Sequence, residues 1–368
     1  MKTNRLVVFF NSYTQGISGG DVCLLELIKR MNDYRLMIVT SKLGRDICQQ
    51  SGLEADYLLT TKENVFTGVV RTYFKRIIKS VFLPLKIHRS DILYSSSDFL
   101  PDVIPAFIRR LANKDAKWVQ KIFHIIPKDR PITYYAQRLS FFLIRRRADV
   151  VIVDNSLLKK QLIQRDFKTE KIKVNYPGID LQRYQNYRSF ANVSEAVFLG
   201  RFHYSKGLFD LVEIWRCVCE RIPQARLSII GNGNARIKDE LKRKISEAGL
   251  ENNVLLTGYL ENEKMIETMK GSKVFVFPSH EEGFGIAILE ALGCGLPVVA
   301  WDLPVYKEVF QHYIIQVREN DYRAFSESVI RLLEDGSMCS KISQAGSEYI
   351  KRYSWNSTLK RELELLEN

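Results

Sequence analysis

Long hydrophobic runs are missing from this 368-residue chain. No stretch reaches the ~18 uncharged apolar residues that a membrane-spanning helix requires. The apolar run at residues 6–10 is too short for the core of a signal peptide. The six cysteines are scattered. None forms a Cys-x-x-Cys pair or has a histidine at metal-finger spacing, which favours free core thiols over metal ligands. With no export signal, reduced thiols in a cytoplasmic protein are the expectation. Internal repeats and low-complexity tracts are lacking. The dinucleotide pattern G-x-G-x-x-G is absent, and the second apolar run ends in Thr40 and Ser41 with no acid for a ribose. That argues against a nicotinamide site. No Asp-x-Asp occurs anywhere.

The chain does have the composition of a globular protein. Its 46% hydrophobic and 26% charged content excludes a disordered or fibrous chain, and its length suggests about two domains. Short apolar runs at 6–10, 35–40, 117–123 and 150–153 alternate with amphipathic segments. The second half repeats this at 196–199, 227–230, 254–256, 274–277 and 297–300. Strands alternating with helices predict parallel sheets covered on both faces. The expected fold is α/β, with two Rossmann-like doubly wound domains at 1–180 and 181–352. Pro177 and Gly178 punctuate the linker, which runs over 176–188. Ligands in such sheets sit at the carboxyl ends of strands, so two domains facing each other would enclose a cleft.

The net charge of +13 is uneven: residues 1–185 carry +15 and residues 186–368 carry −2, with +12 inside 71–147 alone. Such asymmetry suits nucleic acid, an anionic membrane or a polyanionic substrate. Solvated helix faces would account for it equally well.

Four glycine-bearing segments follow predicted strands. In the first, 15–21, Gly19 and Gly20 open a helix, where bare N–H groups and the helix dipole favour an anion. A tight packing turn explains it as well. Gly231-Asn232-Gly233 reads as a strand-to-helix turn. Residues 200–207, GRFHYSKG, place Arg201 and Lys206 on one loop, and a forked guanidinium with a point ammonium suits a diphosphate. The strongest signal is 278–297, PSHEEGFGIAILEALGCGLP. Its glycines, Gly283 and Gly285 around Phe284, let backbone N–H groups approach a ligand. Glu282 can accept from sugar hydroxyls, and Glu290 can accept both hydroxyls of a ribose at its two oxygens. The apolar neighbours of Glu290 leave little exposed face, so an acid without a task there would cost stability.

The run 197–308 resembles the retaining GT-B glycosyltransferases of family 4, the glycosyl transferases group 1. The matching pieces are FLGRFHYSKG, LSIIGNGN, VLLTGYL, VFVFPSHEEGFGIAILEALGCGLPVVA and DLPVYKEVF. Upstream, GISGGDVCLLELIKRM is similar to the family's glycine loop and first helix, and ADVVIVDNSLLKKQL and KVNYPGIDLQRY to its pre-linker segments. Near the end, Tyr353-Ser354-Trp355 resembles the start of the last helix. In this fold that helix, here about 353–368, crosses back to the first domain.

The resemblance implies transfer of a sugar from a nucleotide diphosphate sugar to a hydroxyl with retention of configuration. Arg201 and Lys206 would hold the diphosphate and Glu290 the ribose. Glu282, with Gly283, Phe284 and Gly285, would hold the sugar. Gly19, Gly20 and Gly231 would approach the donor. His124 matches the family's active-site histidine, although Ile125 stands where an acid often follows. The leaving diphosphate gains charge, which must be neutralised. Without Asp-x-Asp, Arg201, Lys206 and loop N–H groups serve, so neither a metal nor another cofactor is expected.

The expected partners are a nucleotide sugar and a glycan acceptor, lipid-linked or at the cell surface. Val69–Phe82, VVRTYFKRIIKSVF, puts Val70, Tyr73, Phe74, Ile77, Ile78 and Val81 at helical spacing, with Arg71, Lys75, Arg76 and Lys79 beside them. Such a helix suits an anionic membrane surface, here the inner face of the cell membrane. Segment 134–147, ending in Arg145-Arg146-Arg147, is expected to pack in the core. Rival readings are a soluble transferase with a small or polymeric acceptor, and a nucleotide-sugar binder without turnover. A nucleic-acid binder gives no reason for Glu282 and Glu290, so no nucleic acid is expected.

Overall fold

The computed structural model describes residues 5–13, 18–63, 68–187 and 194–367. Residues 15–17 of the expected glycine loop and residue 188 of the expected linker lie outside the described residues. The chain divides into two compact units: Met1–Gly178 with Trp355–Asn368, and Ile179–Ser354.

Unit 1 runs β1 (Arg5–Phe9), α1 (Gly19–Ile28), β2 (Arg35–Thr40), α2 (Lys42–Gln50), β3 (Asp56–Leu59), α3 (Val69–Phe82), β4 (Ile92–Ser95), α4 (Leu100–Ala112), β5 (Lys117–Ile122), α5 (Pro131–Arg147), β6 (Val150–Val153), α6 (Ser156–Ile163) and β7 (Ile172–Val174). Its strands form one parallel sheet in the order β3-β2-β1-β4-β5-β6-β7. Strand β1 shows why the fold class is legible. Leu6, Val7, Val8 and Phe9 are all fully buried. Leu6 and Val8 join a core with Leu24, Leu25 and Cys48 from α1 and α2. Val7 and Phe9 join a second core with Val103, Phe141 and Leu158 from α4, α5 and α6. A strand covered on both faces must be apolar at every position. Each such side chain contributes about 1.5–3 kcal/mol.

Unit 2 runs α7 (Leu181–Asn186), β8 (Ser194–Leu199), α8 (Leu208–Arg221), β9 (Leu227–Ile230), α9 (Ala235–Glu247), β10 (Val254–Gly258), α10 (Asn262–Lys270), β11 (Ser272–Phe277), α11 (Ile286–Gly293), β12 (Val298–Trp301), α12 (Pro304–Val309), β13 (Ile315–Val317), α13 (Tyr322–Glu334) and α14 (Gly336–Tyr349). The sheet order is β10-β9-β8-β11-β12-β13, again parallel. Both sheets are doubly wound and Rossmann-like, as the alternation predicts. Strand order reverses between β1 and β4 in one unit and between β8 and β11 in the other. Carboxyl ends at such a reversal are where open α/β sheets take ligands.

The last helix, α15 (Trp355–Glu367), belongs to unit 1. Trp355, Leu365 and Leu366 enter the α1 side of its core. Glu362 is completely buried. It accepts from the Tyr94 hydroxyl and from Asn175 Nδ2 at 2.6 Å, and its Oε2 lies 3.4 Å from Lys121 Nζ. Gly178 packs so close to Trp355 that a Cβ there would fall 2.6 Å from the indole. An unbranched backbone is required at that contact.

Candidate functional site

In unit 2 the carboxyl ends of β8, β9 and β11 are held in contact by two glycines. Gly207 caps α8 with φ +65°, and a Cβ there would sit 1.8 Å from the Pro278 carbonyl oxygen. Gly231 has φ +147°, and its Cβ would sit 1.9 Å from the Gly200 carbonyl oxygen. Both combine left-handed backbone with no room for a side chain, so only glycine fits.

That proximity builds a polar cluster. Lys206 Nζ lies 2.5 Å from Glu282 Oε1 and 3.4 Å from the Glu281 carbonyl. The Ser279 hydroxyl donates to the same Glu282 oxygen at 2.9 Å. An ammonium has three donors, so Lys206 keeps one for a further acceptor. Arg201, just beyond β8, is exposed and has no hydrogen-bond or ion-pair partner among the described residues. Phe284 is buried edge-on against Phe310 and Tyr353, each at 5.8 Å, which fixes the turn that leads through Gly285, φ +100°, into α11.

Glu290 lies on α11 and accepts from the Tyr184 hydroxyl at 3.0 Å through Oε1. Burial pushes the Glu290 carboxyl up, against the opposing pull of Tyr184 and Arg183. Burial and the neighbouring acid push the Tyr184 phenol up as well, so it stays a donor. The second Glu290 oxygen is thereby left for another ligand. Arg183 also lines an open polar depression of about 400 Å³ together with Tyr187 and Tyr259.

In unit 1 two of the residues singled out from sequence lie beside the segment that carries a third, His124. Gly19 and Gly20 open α1, whose N-cap Ser18 forms a reciprocal capping box with Asp21. A Cβ on Gly20 would touch the Phe123 ring at 3.4 Å, so α1 begins against the residue before His124. The acid missing at position 125 arrives from elsewhere. Asp98 is buried just past β4, and that burial pushes its carboxyl up, with the nearby His124 and the Gln137 amide opposing. Gln137 Nε2 joins the two, donating to Asp98 Oδ2 at 2.7 Å and to the His124 carbonyl at 2.9 Å. Asp98 was missed by sequence reasoning. Its signal was a polar run, Ser95-Ser96-Ser97-Asp98, between a strand and a helix.

One residue of the basic helix needs correction. Arg76 is not a surface cation but fully buried. Its Nε bonds Glu63 at 2.8 Å, and its Nη1 donates to the carbonyls of Asn11 and Tyr13 at 2.6 and 2.9 Å. A forked guanidinium satisfies several carbonyls at once, and Glu63 offsets its charge. Helix α3 therefore buries Thr72, Arg76 and Ser80. It exposes Val70 (72%), Phe74 (64%) and Phe82 (80%), with Arg71, Lys75 and Lys79 also outward. Helix α5 is divided likewise. Phe141 and Ile144 enter the core as expected, but Ile132, Tyr135, Leu139 and Phe142 stay exposed. No described helix is long and apolar enough to cross a membrane.

Comparison with known proteins bears on the fold. The GDP-mannose:cellobiosyl-diphosphopolyprenol alpha-mannosyltransferase of Xanthomonas oryzae is 27% identical over 198 residues, covering 53% of this chain and 52% of the relative. The phosphatidyl-myo-inositol mannosyltransferase of Mycobacterium leprae is 28% identical over 164 residues, covering 44% and 42%. The chain thus spans about half the length of these curated relatives. Among solved structures, Anabaena HepE in complex with UDP and glucose superimposes with a TM-score of 0.81 at 19% identity, covering 99% of both chains. Residues 185–349 match the family Glycosyl transferases group 1. With both doubly wound units in place, the chain has the GT-B fold, and its second unit is similar to the group 1 glycosyltransferases.

Proposed function

We propose that the chain transfers a sugar from a nucleotide diphosphate sugar to a hydroxyl of a lipid-linked or cell-surface glycan, with retention of configuration, without a metal ion, at an anionic membrane surface on the cytoplasmic side. The observation that carries the reading is the Lys206–Glu282 pair with Arg201 at the β8 and β11 ends. Lys206 and Arg201 neutralise the departing diphosphate. Glu282 and the N–H groups of Phe284 and Gly285 hold the sugar. Glu290 takes the ribose, and the depression beside Arg183 takes the base. Among the residues of unit 1, the resemblance assigns Gly19 and Gly20 to the donor and His124 to its sugar. The acceptor oxygen bonds to the anomeric carbon from the face the phosphate leaves, and its proton passes to the leaving phosphate oxygen. The named substrates of the Xanthomonas and Mycobacterium relatives, a diphosphopolyprenol and a phosphatidyl-inositol, support a lipid-borne acceptor.

The test is a melting-temperature panel of UDP, GDP, ADP, CMP and their sugar conjugates with EDTA present. A ligand bound only by the folded state raises the transition by mass action. One diphosphate standing out in EDTA is the expected result. Silence with every nucleotide, repeated with magnesium and manganese, would remove the transferase reading.

The membrane reading rests on α3 and has its own test. Phe74→Glu and Phe82→Glu are each expected to weaken sedimentation with phosphatidylglycerol vesicles about tenfold, from the loss of an inserted aromatic. Binding should also fall with added salt, because Lys75 and Lys79 act through the surface potential. Unchanged binding in the double variant would refute the assignment of this face.

A further inference from the structure

The donor loop carries a histidine that the proposed chemistry does not use. His280 lies between Pro278 and Glu282, with an acid on each side of its ring. Its Nε2 is 2.7 Å from Asp210 Oδ2 on α8, and its Nδ1 pairs with Glu319 Oε1 from the loop after β13. Both carboxylates are themselves held. Trp301 Nε1 and the Tyr322 hydroxyl donate to Asp210, each at 3.3 Å. The Glu319 amide donates to Asp302 Oδ1 at 3.3 Å, and Asp302 pairs with Lys307. A neutral imidazole has one N–H and one lone pair. Two flanking carboxylates therefore call for the doubly protonated ring. The backbone completes the attachment: the His280 amide donates to the Ser205 carbonyl at 2.8 Å, next to Lys206.

We infer that His280 is a positioning residue: as a cation bridging Asp210 and Glu319 it fastens the donor loop to α8 and to the β13 edge, and so fixes where Glu282 and Lys206 stand. This rests on the transferase reading for its purpose, but not for its geometry. The hydrogen bond to Asp210, then that to Glu319, pushes the imidazole up to about 9 against the opposing effect of burial. A group raised in the folded state stabilises fully below its ordinary value near 6.5 and loses that contribution as pH rises through about 9. The loop is thus clamped at neutral pH and released in alkali.

Two measurements on the full chain test this. Amide hydrogen exchange of residues 278–285, corrected for intrinsic rates, should accelerate about tenfold or more between pH 7.5 and 10. In His280→Gln, which keeps a donor but no charge, exchange should already be fast at pH 7 and flat with pH. Glu319→Gln should shift the wild-type midpoint downward, which guards against a single variant that folds poorly. Titration with UDP and GDP should show about tenfold weaker binding of the preferred nucleotide to His280→Gln at pH 7, and equal binding by both proteins at pH 10. Loop exchange that ignores pH in the wild type, or that matches the wild type in His280→Gln, would overturn the clamp. If neither nucleotide binds the wild type while exchange behaves as described, the clamp stands and the transferase reading falls.

Discussion

On the transferase reading proposed above, Lys206→Met is expected to lower turnover of the preferred nucleotide sugar by about 10²–10³-fold, the usual cost of removing one group aimed at developing charge. Two effects act together. The leaving diphosphate loses a point charge that exposed Arg201, standing on the same loop, only partly replaces. Glu282, whose side chain is 12% exposed, loses the cation beside it and keeps only the Ser279 hydroxyl at that oxygen. Most of the loss should fall on kcat, because charge on the phosphate grows at the transition state. Lys206→Arg keeps the charge but changes a point donor to a planar fork, and should recover part of the rate. Initial rates with the donor identified by the nucleotide panel decide it. A Lys206→Met enzyme within threefold of wild type would remove Lys206 from the site.

Glu362→Ala should destabilise unit 1 by about 3–5 kcal/mol, the range for breaking one member of a buried ion pair. The variant leaves Lys121, 5% exposed, with its ion-pair partner gone, strips the acceptor from Tyr94 and leaves Asn175 with the Thr358 carbonyl alone. Asp154 stands close enough to respond. Burial pushes its carboxyl up to about 7, with Lys121 opposing and Glu362 adding to the rise. Without Glu362 the Asp154 value should fall as Lys121 turns to it, and that recovers some of the loss. Urea unfolding followed by Trp355 and Trp118 emission, both in unit 1, measures the first effect, and carboxyl titration by NMR the second. A loss below 1 kcal/mol would mean that α15 is held by its apolar contacts alone.

What sequence revealed and what it hid divide along a physical line. Strand β1 was legible because burial on both faces leaves no position for a polar residue. The pairing of Lys206 with Glu282 was foreshadowed because two cations and two acids followed strand ends, where a parallel sheet gathers its loops. Period alone could show that α3 has two faces, but not which lies inward. Arg76 turned inward because the segment after β1 offers two carbonyls and Glu63 a charge, and nothing in a helical repeat records that. Asp98 escaped for a related reason. Its link to His124 joins the ends of neighbouring strands β4 and β5, so linear spacing carries no trace of it. The apolar row on α5 was hidden by the opposite assumption, that Tyr135, Leu139 and Phe142 must enter the core because they could.

The return of α15 to unit 1 bears on how the protein is made. The Tyr94–Glu362 contact spans 268 positions of sequence, with the whole of unit 2 between its ends. Synthesis on the ribosome is vectorial, so the first unit emerges with Tyr94, Lys121 and Asn175 gathered around an acid not yet translated. Loop-closure entropy sets against so distant a contact, and the nascent unit keeps an apolar groove beside α1 open for the whole time unit 2 is being built. Truncated or stalled chains ending before residue 355 should therefore be chaperone clients and protease substrates even with the first sheet formed, whereas unit 2, contiguous in sequence, can mature before release.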